Sequence, residues 1–163
     1  MPVPEEDTLD TAEPSHSMRG PIDGPSLFDF RAEFERLEPL ATGELDDPVD
    51  PTALTILLAD GVGPANTARL DVRWTTVGDY NVHYTDSEDR NLRWDVHPHD
   101  FPHPAKDCHF HPPPNASNAP DDVEPSCIEV SEVVLVARAV RALWRLAYDE
   151  GEFEEIHAVE NPP

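Results

Sequence analysis

The feature that most constrains the fold is an alternation of apolar and polar side chains over residues 68–97. Turn-forming residues interrupt it at 77–79 and 86–89, so it divides into three strands at 68–76, 79–85 and 90–97. Successive side chains of a strand point to opposite faces, so one face carries Leu, Val, Trp and Tyr and the other carries Arg, Asn, His and Asp. Turns this short join antiparallel neighbours, and the alternation therefore predicts an antiparallel β-meander with one face to be covered.

Two other segments have the period of amphipathic helices. Residues 26–38 repeat large apolar side chains at spacings of 3, 4 and 3, and residues 128–148 carry a longer apolar stripe. Residues 54–60 are a short apolar run that favours a further strand, although two helical turns also fit it. The predicted fold class is α+β: an antiparallel meander of about four strands, packed by the long C-terminal helix, with an N-terminal amphipathic helix.

Domain organisation follows from composition. Residues 1–25 and 149–163 are acidic and poor in large apolar side chains, which predicts a disordered tail at the N-terminus and an acidic tail at the C-terminus. Residues 26–148 are predicted to form a single α+β domain.

The charge balance is strongly acidic, with 34 Asp and Glu against 11 Lys and Arg and a net charge of −23. Such a chain is either disordered or adapted to high salt, and the periodicity of its middle favours a halophilic protein. At molar salt the Debye length is about 3 Å, so the self-repulsion is largely screened. The charge argues against wholesale wrapping of nucleic acid, which needs cations, and leaves only a local basic face.

No secretory leader or membrane-spanning apolar run is evident, so we expect a cytoplasmic protein without membrane contact. Its two cysteines, Cys108 and Cys127, are then expected to be reduced thiols.

Histidine is concentrated in one proline-rich loop between the meander and the long helix. Residues 97–114 read HPHDFPHPAKDCHFHPPP and hold five of the eight histidines, one of the two cysteines and the single lysine. Four donors in it could bind a divalent metal: His97, Cys108, His109 and His111. No other cofactor is predicted. The alternative interpretation is a stiff structural loop.

The same loop suggests acid–base chemistry on RNA. Attack by a 2′-hydroxyl needs a base, an acid and a cation that stabilises the phosphorane charge. His97, His109 and His111 can supply the first two, and Lys106, Arg93 or Arg73 the third.

Further arginines are candidates for RNA contacts. Arg69 and Arg73 lie on the polar face of the meander, and Arg138, Arg141 and Arg145 share a face of the long helix. For the helix arginines the alternative is pairing with Asp and Glu at the surface.

Four short motifs occur in a fixed order before the long helix: YNVHY, RWD, HFH and VEPS. This order, over roughly residues 54–147, resembles the TumE-like toxins of toxin–antitoxin pairs. The resemblance implies a small α+β toxin that a separate antitoxin, often a DNA-binding protein, neutralises. Four positions match its motifs and join the site candidates: His83, Asp95, His109 and His111.

Three functions are therefore compatible with the sequence. The first is a toxin that acts on RNA through the polar sheet face and the histidine loop. The second is a non-catalytic binding or regulatory module of a halophile, and the third is a metal-binding protein. The expected partners are an antitoxin and RNA, and the oligomeric state is left open.

Overall fold

The computed structural model describes residues 18–98, 107–154 and 156. Most of the predicted N-terminal tail, the segment around Lys106 and residues 157–163 lie outside the described residues. The described elements are α1 (Gly24–Leu37), β1 (Ala41–Leu45), β2 (Leu54–Leu58), β3 (Ala68–Trp74), β4 (Tyr80–Asp86), β5 (Asn91–Val96), β6 (Cys108–His111), β7 (Glu124–Pro125) and α2 (Val133–Glu150), with a short 3-10 helix at Pro120–Asp122.

The strands form one seven-stranded sheet in which spatial order equals chain order. Every neighbouring pair is antiparallel, so the whole sheet is a meander. The α+β class and the antiparallel meander of β3, β4 and β5 agree with the prediction, and the apolar run at 54–58 is strand β2.

The predicted number of about four strands was too low. The missed strands lack apolar alternation: β1 (ATGEL) contains a glycine, β6 (CHFH) has one large apolar side chain, and β7 has only two residues. β1 and β6 are held by pairing to β2 and β5, and β7 by pairing to β6, and a pattern search along one strand does not detect such pairing.

One face of the sheet is the apolar core. Leu70, Val82 and Trp94 from successive strands are fully buried there, as are Val140 and Trp144 of α2. α2 begins at Val133, five residues later than the predicted 128, but its apolar stripe covers the sheet as expected. None of the described helices has the length and apolar character needed to cross a bilayer.

Helix α1 packs beside α2 over the same core. Its side chains Leu27, Phe30 and Phe34 are fully buried. Asp23 caps its first turn by accepting a hydrogen bond from the backbone N–H of Ser26. Just before it, Arg19 forms an ion pair with the buried carboxylate of Asp79, with Nη2 2.8 Å from Oδ1.

The two helices are joined by a buried carboxylate at the end of α1. Glu38 is fully buried and accepts hydrogen bonds from Arg141 Nε at 3.2 Å and Arg145 Nε at 3.0 Å. A turn earlier, Arg138 Nε lies 2.6 Å from Glu33 Oε2. Burial alone would raise the pKa of Glu38, but the hydrogen bonds from Arg145, Arg141 and the Leu40 N–H lower it.

We predict that Glu38→Gln lowers the free energy of unfolding by about 2 kcal/mol at pH 7, because hydrogen bonds to a charged group are lost. The pKa of Glu38 is below its ordinary 4.5 in the folded state, so its contribution is present above that pH and is lost as pH falls through the folded pKa. Denaturant unfolding at constant salt should therefore show the difference from wild type shrinking below about pH 4.5.

Glu44→Gln is the matched control, because Glu44 is exposed on β1, and its effect should stay within about 0.5 kcal/mol. A difference for Glu38→Gln that stays constant from pH 7 to pH 3 would contradict the role assigned to the ionised carboxylate.

Candidate functional site

The candidate site lies on the sheet face opposite the core, at β5 and β6. Leu92, Trp94 and Phe110 point into the core, so the residues that alternate with them point outward. Register pairs Asp95 with His109 and Arg93 with His111. Asp95, His109 and His111 are nevertheless buried, with relative exposures of 1%, 0% and 1%.

Three histidine rings are oriented by backbone carbonyls. His97 Nδ1 lies 2.8 Å from the Pro98 oxygen, His109 Nδ1 2.8 Å from the Asp107 oxygen, and His111 Nδ1 2.8 Å from the Ser117 oxygen. A carbonyl oxygen only accepts hydrogen bonds, so each Nδ1 is the donor and carries the proton. In each neutral ring Nε2 is then the nitrogen with the free electron pair.

All three Nε2 atoms converge on one oxygen. Asp95 Oδ2 lies 3.4 Å from His97 Nε2, 3.5 Å from His109 Nε2 and 3.2 Å from His111 Nε2. The other carboxylate oxygen, Oδ1, accepts a hydrogen bond from Asn81 Nδ2 at 2.7 Å. We call Asp95, His97, His109 and His111 the Asp95 cluster.

Arg93 supplies the positive charge next to the cluster. Its Nε donates to Asp95 Oδ2 at 2.8 Å, and its Nη2 lies 3.1 Å from His111 Nε2 and 2.9 Å from Asn118 Oδ1. Arginine only donates, so the contact with His111 shows Nε2 of that ring as the acceptor. The arginine side chain is 22% exposed, so part of it is accessible from solvent.

The environment shifts the pKa values within the cluster in different directions. Burial alone would raise the pKa of Asp95, but the contact with His97 and the charge of Arg93 hold it well below its ordinary value. Burial lowers the pKa of His109. For His97 burial has the same direction, but the contacts with Asp95 and the Pro98 carbonyl outweigh it and raise the pKa.

His83 occupies the open face one strand away, opposite Arg93 in the β4–β5 register. Its Nε2 lies 2.8 Å from Asn91 Oδ1, and the orientation of that amide is fixed because Asn91 Nδ2 donates to the Asp89 carbonyl. The His83 Nε2 therefore donates and Nδ1 remains the acceptor. A shallow cavity of about 260 Å³ lies beside it, lined in part by Arg73 and Asn81.

The sequence-predicted residues divide into four groups. Asp95, His97, His109, His111 and Arg93 come together, and His83 lies beside them. Arg69 and Arg73 are exposed on the same outer face, and Arg69 pairs with Asp71 at 3.0 Å. Lys106 lies outside the described residues.

The helix arginines are placed elsewhere. Arg138, Arg141 and Arg145 are on α2, which covers the opposite face of the sheet, and they pair with Glu33 and Glu38 of the α1 segment. Pairing with acidic residues was the alternative interpretation of this arginine stripe. The position of α2 separates these arginines from the Asp95 cluster by the full thickness of the core.

Of the four suggested metal donors, His109 and His111 belong to a group of donors that lie close together, and His97 and Cys108 do not. Cys108 alternates with His109 along β6, so its side chain belongs to the core-facing side and it does not join the cluster. The donors that come within 4.8 Å of one another are Asp95, His109 and His111. Sequence reasoning also missed Asn81 and Asn118, since a lone asparagine carries no periodic or spacing signal.

We predict that diethyl pyrocarbonate modifies His83 at least about tenfold faster than His109 or His111 in the folded protein, because only buried rings need local opening before reaction. Peptide mass spectrometry would give the rate at each position. The same reaction in denaturant is the control, where the three rates should become similar. Equal rates in the folded protein would contradict the burial of the His109 and His111 rings.

Comparison with known proteins identifies one relationship. The family model described as Toxin TumE matches residues 31–146, which include all seven strands, most of α2 and every residue of the Asp95 cluster. No curated protein and no solved structure matches the chain.

Proposed function

Because the chain belongs to the TumE family, the toxins of toxin–antitoxin systems, we propose that it arrests cell growth by acting on RNA at the outer face of its sheet. The observation that carries this proposal is the position of Arg93, held by Asp95 and directly beside His83 on that face. A guanidinium next to a half-buried imidazole is an arrangement suited to a phosphodiester.

Positive charge on the outer face supports contact with a phosphate backbone. Arg69 and Arg73 are exposed on β3, and Arg93 lies two strands further along the sheet. The chain as a whole carries a net charge of −23, so long-range attraction of RNA is unfavourable. High salt screens that repulsion, and short hydrogen-bonded contacts from arginine then determine where RNA binds.

The proposed reaction is transesterification within RNA. Nδ1 of His83 accepts the proton of the 2′-hydroxyl, whose oxygen attacks the adjacent phosphorus, and the bond from phosphorus to the 5′-oxygen breaks. Arg93 stabilises the additional negative charge on the phosphoryl oxygens. The products are a 2′,3′-cyclic phosphate and a free 5′-hydroxyl. The requirement for a 2′-hydroxyl would restrict the reaction to RNA.

The clustered histidines have little access to such a substrate. His109 and His111 are buried, with Nδ1 bound to carbonyl oxygens and Nε2 facing Asp95, so neither is placed to exchange a proton with RNA. His97 follows the end of β5 and is 6% exposed, but its Nδ1 also bonds to a carbonyl oxygen and its Nε2 also faces Asp95. In the proposal a water molecule therefore protonates the leaving 5′-oxygen, and Asp95 is a positioning residue that holds Arg93.

We predict that expression of the wild-type chain in a salt-tolerant host arrests growth and cleaves RNA, and that His83→Ala or Arg93→Ala relieves the arrest. Loss of an acid–base group or of a charge-stabilising donor lowers cleavage by about 10²–10³-fold. Mapping of RNA ends would show 5′-hydroxyl termini in the wild type alone. Co-expression of a cognate antitoxin should suppress both effects.

Arg36→Ala is the matched control, because Arg36 is exposed on α1 and pairs with Glu33 away from the outer face. This variant should arrest growth like the wild type. Arrest with intact RNA would contradict RNA as the target, and equal arrest by His83→Ala and Arg93→Ala would contradict the assigned site.

A further inference from the structure

In the Asp95 cluster, lone pairs on two histidine nitrogens face the same carboxylate oxygen at short distance. His111 Nε2 accepts from Arg93, so it carries no proton, and it lies 3.2 Å from Asp95 Oδ2. His109 donates through Nδ1 to the Asp107 carbonyl, and its Nε2 lies 3.5 Å from the same oxygen. If both rings were instead charged donors to Asp95, they and Arg93 would place three positive charges around one buried carboxylate, which is unfavourable.

A cation between these three atoms removes the repulsion. We infer that Asp95 Oδ2, His109 Nε2 and His111 Nε2 form a binding site for one divalent transition-metal ion of the zinc class. Two imidazole nitrogens and a carboxylate oxygen are a common ligand set for Zn²⁺, and the fourth position is then open to water or substrate. The inference does not depend on RNA as the target of the proposed toxin.

The distances fit tetrahedral coordination. Metal–ligand bonds of about 2.0–2.2 Å place the ligand atoms of a tetrahedron about 3.3–3.6 Å apart. The oxygen–nitrogen separations from Asp95 Oδ2 are 3.2 Å to His111 and 3.5 Å to His109. The three ligand atoms together lie within 4.8 Å of one another, so only small rotations of the rings are required.

The surroundings already have the form that metal-binding histidines need. Each ligand imidazole donates Nδ1–H to a backbone carbonyl, which fixes the tautomer and directs Nε2 at the ion. The carboxylate is oriented by Asn81 through its other oxygen and by His97 at 3.4 Å. The ligands stand on two hydrogen-bonded strands, so their separation is set by the sheet rather than by a loop.

Arg93 competes with the ion for the same atoms. Its guanidinium contacts both Asp95 Oδ2 and His111 Nε2, and a metal ion can bind only when those contacts open. The side chain is partly exposed and has a second acceptor in Asn118 Oδ1 at 2.9 Å, so it can withdraw toward solvent. Removal of Arg93 should therefore tighten metal binding, although the same change abolishes the proposed action on RNA.

The test is a titration of the purified, chelator-treated chain with Co²⁺, followed by displacement with Zn²⁺. We expect one Co²⁺ per chain with the intense visible absorption of tetrahedral cobalt. His109→Ala or His111→Ala should lower the affinity at least about 10²-fold. Arg93→Ala should raise it at least about tenfold, because a nearby unit charge is removed.

Two matched controls separate this site from other donors. Cys108→Ser changes the neighbour of His109 on the other face of β6 and should leave affinity and spectrum unchanged. His99→Ala/His103→Ala tests the histidines of the segment outside the described residues and should also have no effect. Circular dichroism checks that each variant is folded.

The inference is overturned if the wild type binds less than one ion per chain, if Cys108→Ser or the His99/His103 variant loses the cobalt spectrum, or if Arg93→Ala weakens binding. The last comparison remains decisive even when His109→Ala fails to fold, since Arg93 is partly exposed. Metal binding without growth arrest would contradict the proposed toxin activity but not this inference. Growth arrest without metal binding would contradict this inference but not the proposed toxin activity.

Discussion

A sheet in which every second side chain is apolar is stable in water only when something covers one of its faces, and the rest of this protein follows from that requirement. The seven strands present their core side chains to one side, where α1 and α2 lie. Because both helices are needed there, the contact between them matters as much as their contact with the sheet. Glu38, buried between Arg141 and Arg145, is one part of that contact, and the pair of Arg138 with Glu33 is another.

The same alternation leaves the outer face free for chemistry. On β3 and β4 the outward side chains form a polar surface that is partly exposed to solvent. On β5 and β6 the corresponding side chains form a buried cluster. Asp95 is the centre of that cluster, because one of its oxygens faces three imidazoles and one guanidinium. An ionised carboxylate of this kind needs positive charge nearby, and either Arg93 or a bound cation can provide it.

The central part of the fold could be predicted from the sequence, since the alternation at 68–97 is long and regular and the stripe at 128–148 is strongly amphipathic. The outer strands could not, because β1 and β7 are specified by the neighbour they pair with. For the site, the His-x-His spacing of β6 indicated that both rings share a face. Their partner Asp95 depends on the register across the intervening loop, and a sequence pattern does not fix register there. In the same way, the sequence shows only that one face of the long helix carries Arg138, Arg141 and Arg145. Their partners Glu33 and Glu38 lie more than 100 residues away in the chain, so no local pattern predicts the pairing.

The identity of chain order and sheet order has a consequence for how the molecule is made. Each strand can pair with the one synthesised just before it, so the sheet can grow hairpin by hairpin with short loop closures. Helix α2, whose apolar side chains lie in the core on that face, follows all seven strands in the chain. A ribosome-bound chain therefore exposes an uncovered apolar face until residue 150 has been synthesised, and α1 waits for its partner over the same interval. During that interval the nascent chain exposes apolar surface of the kind that chaperones bind.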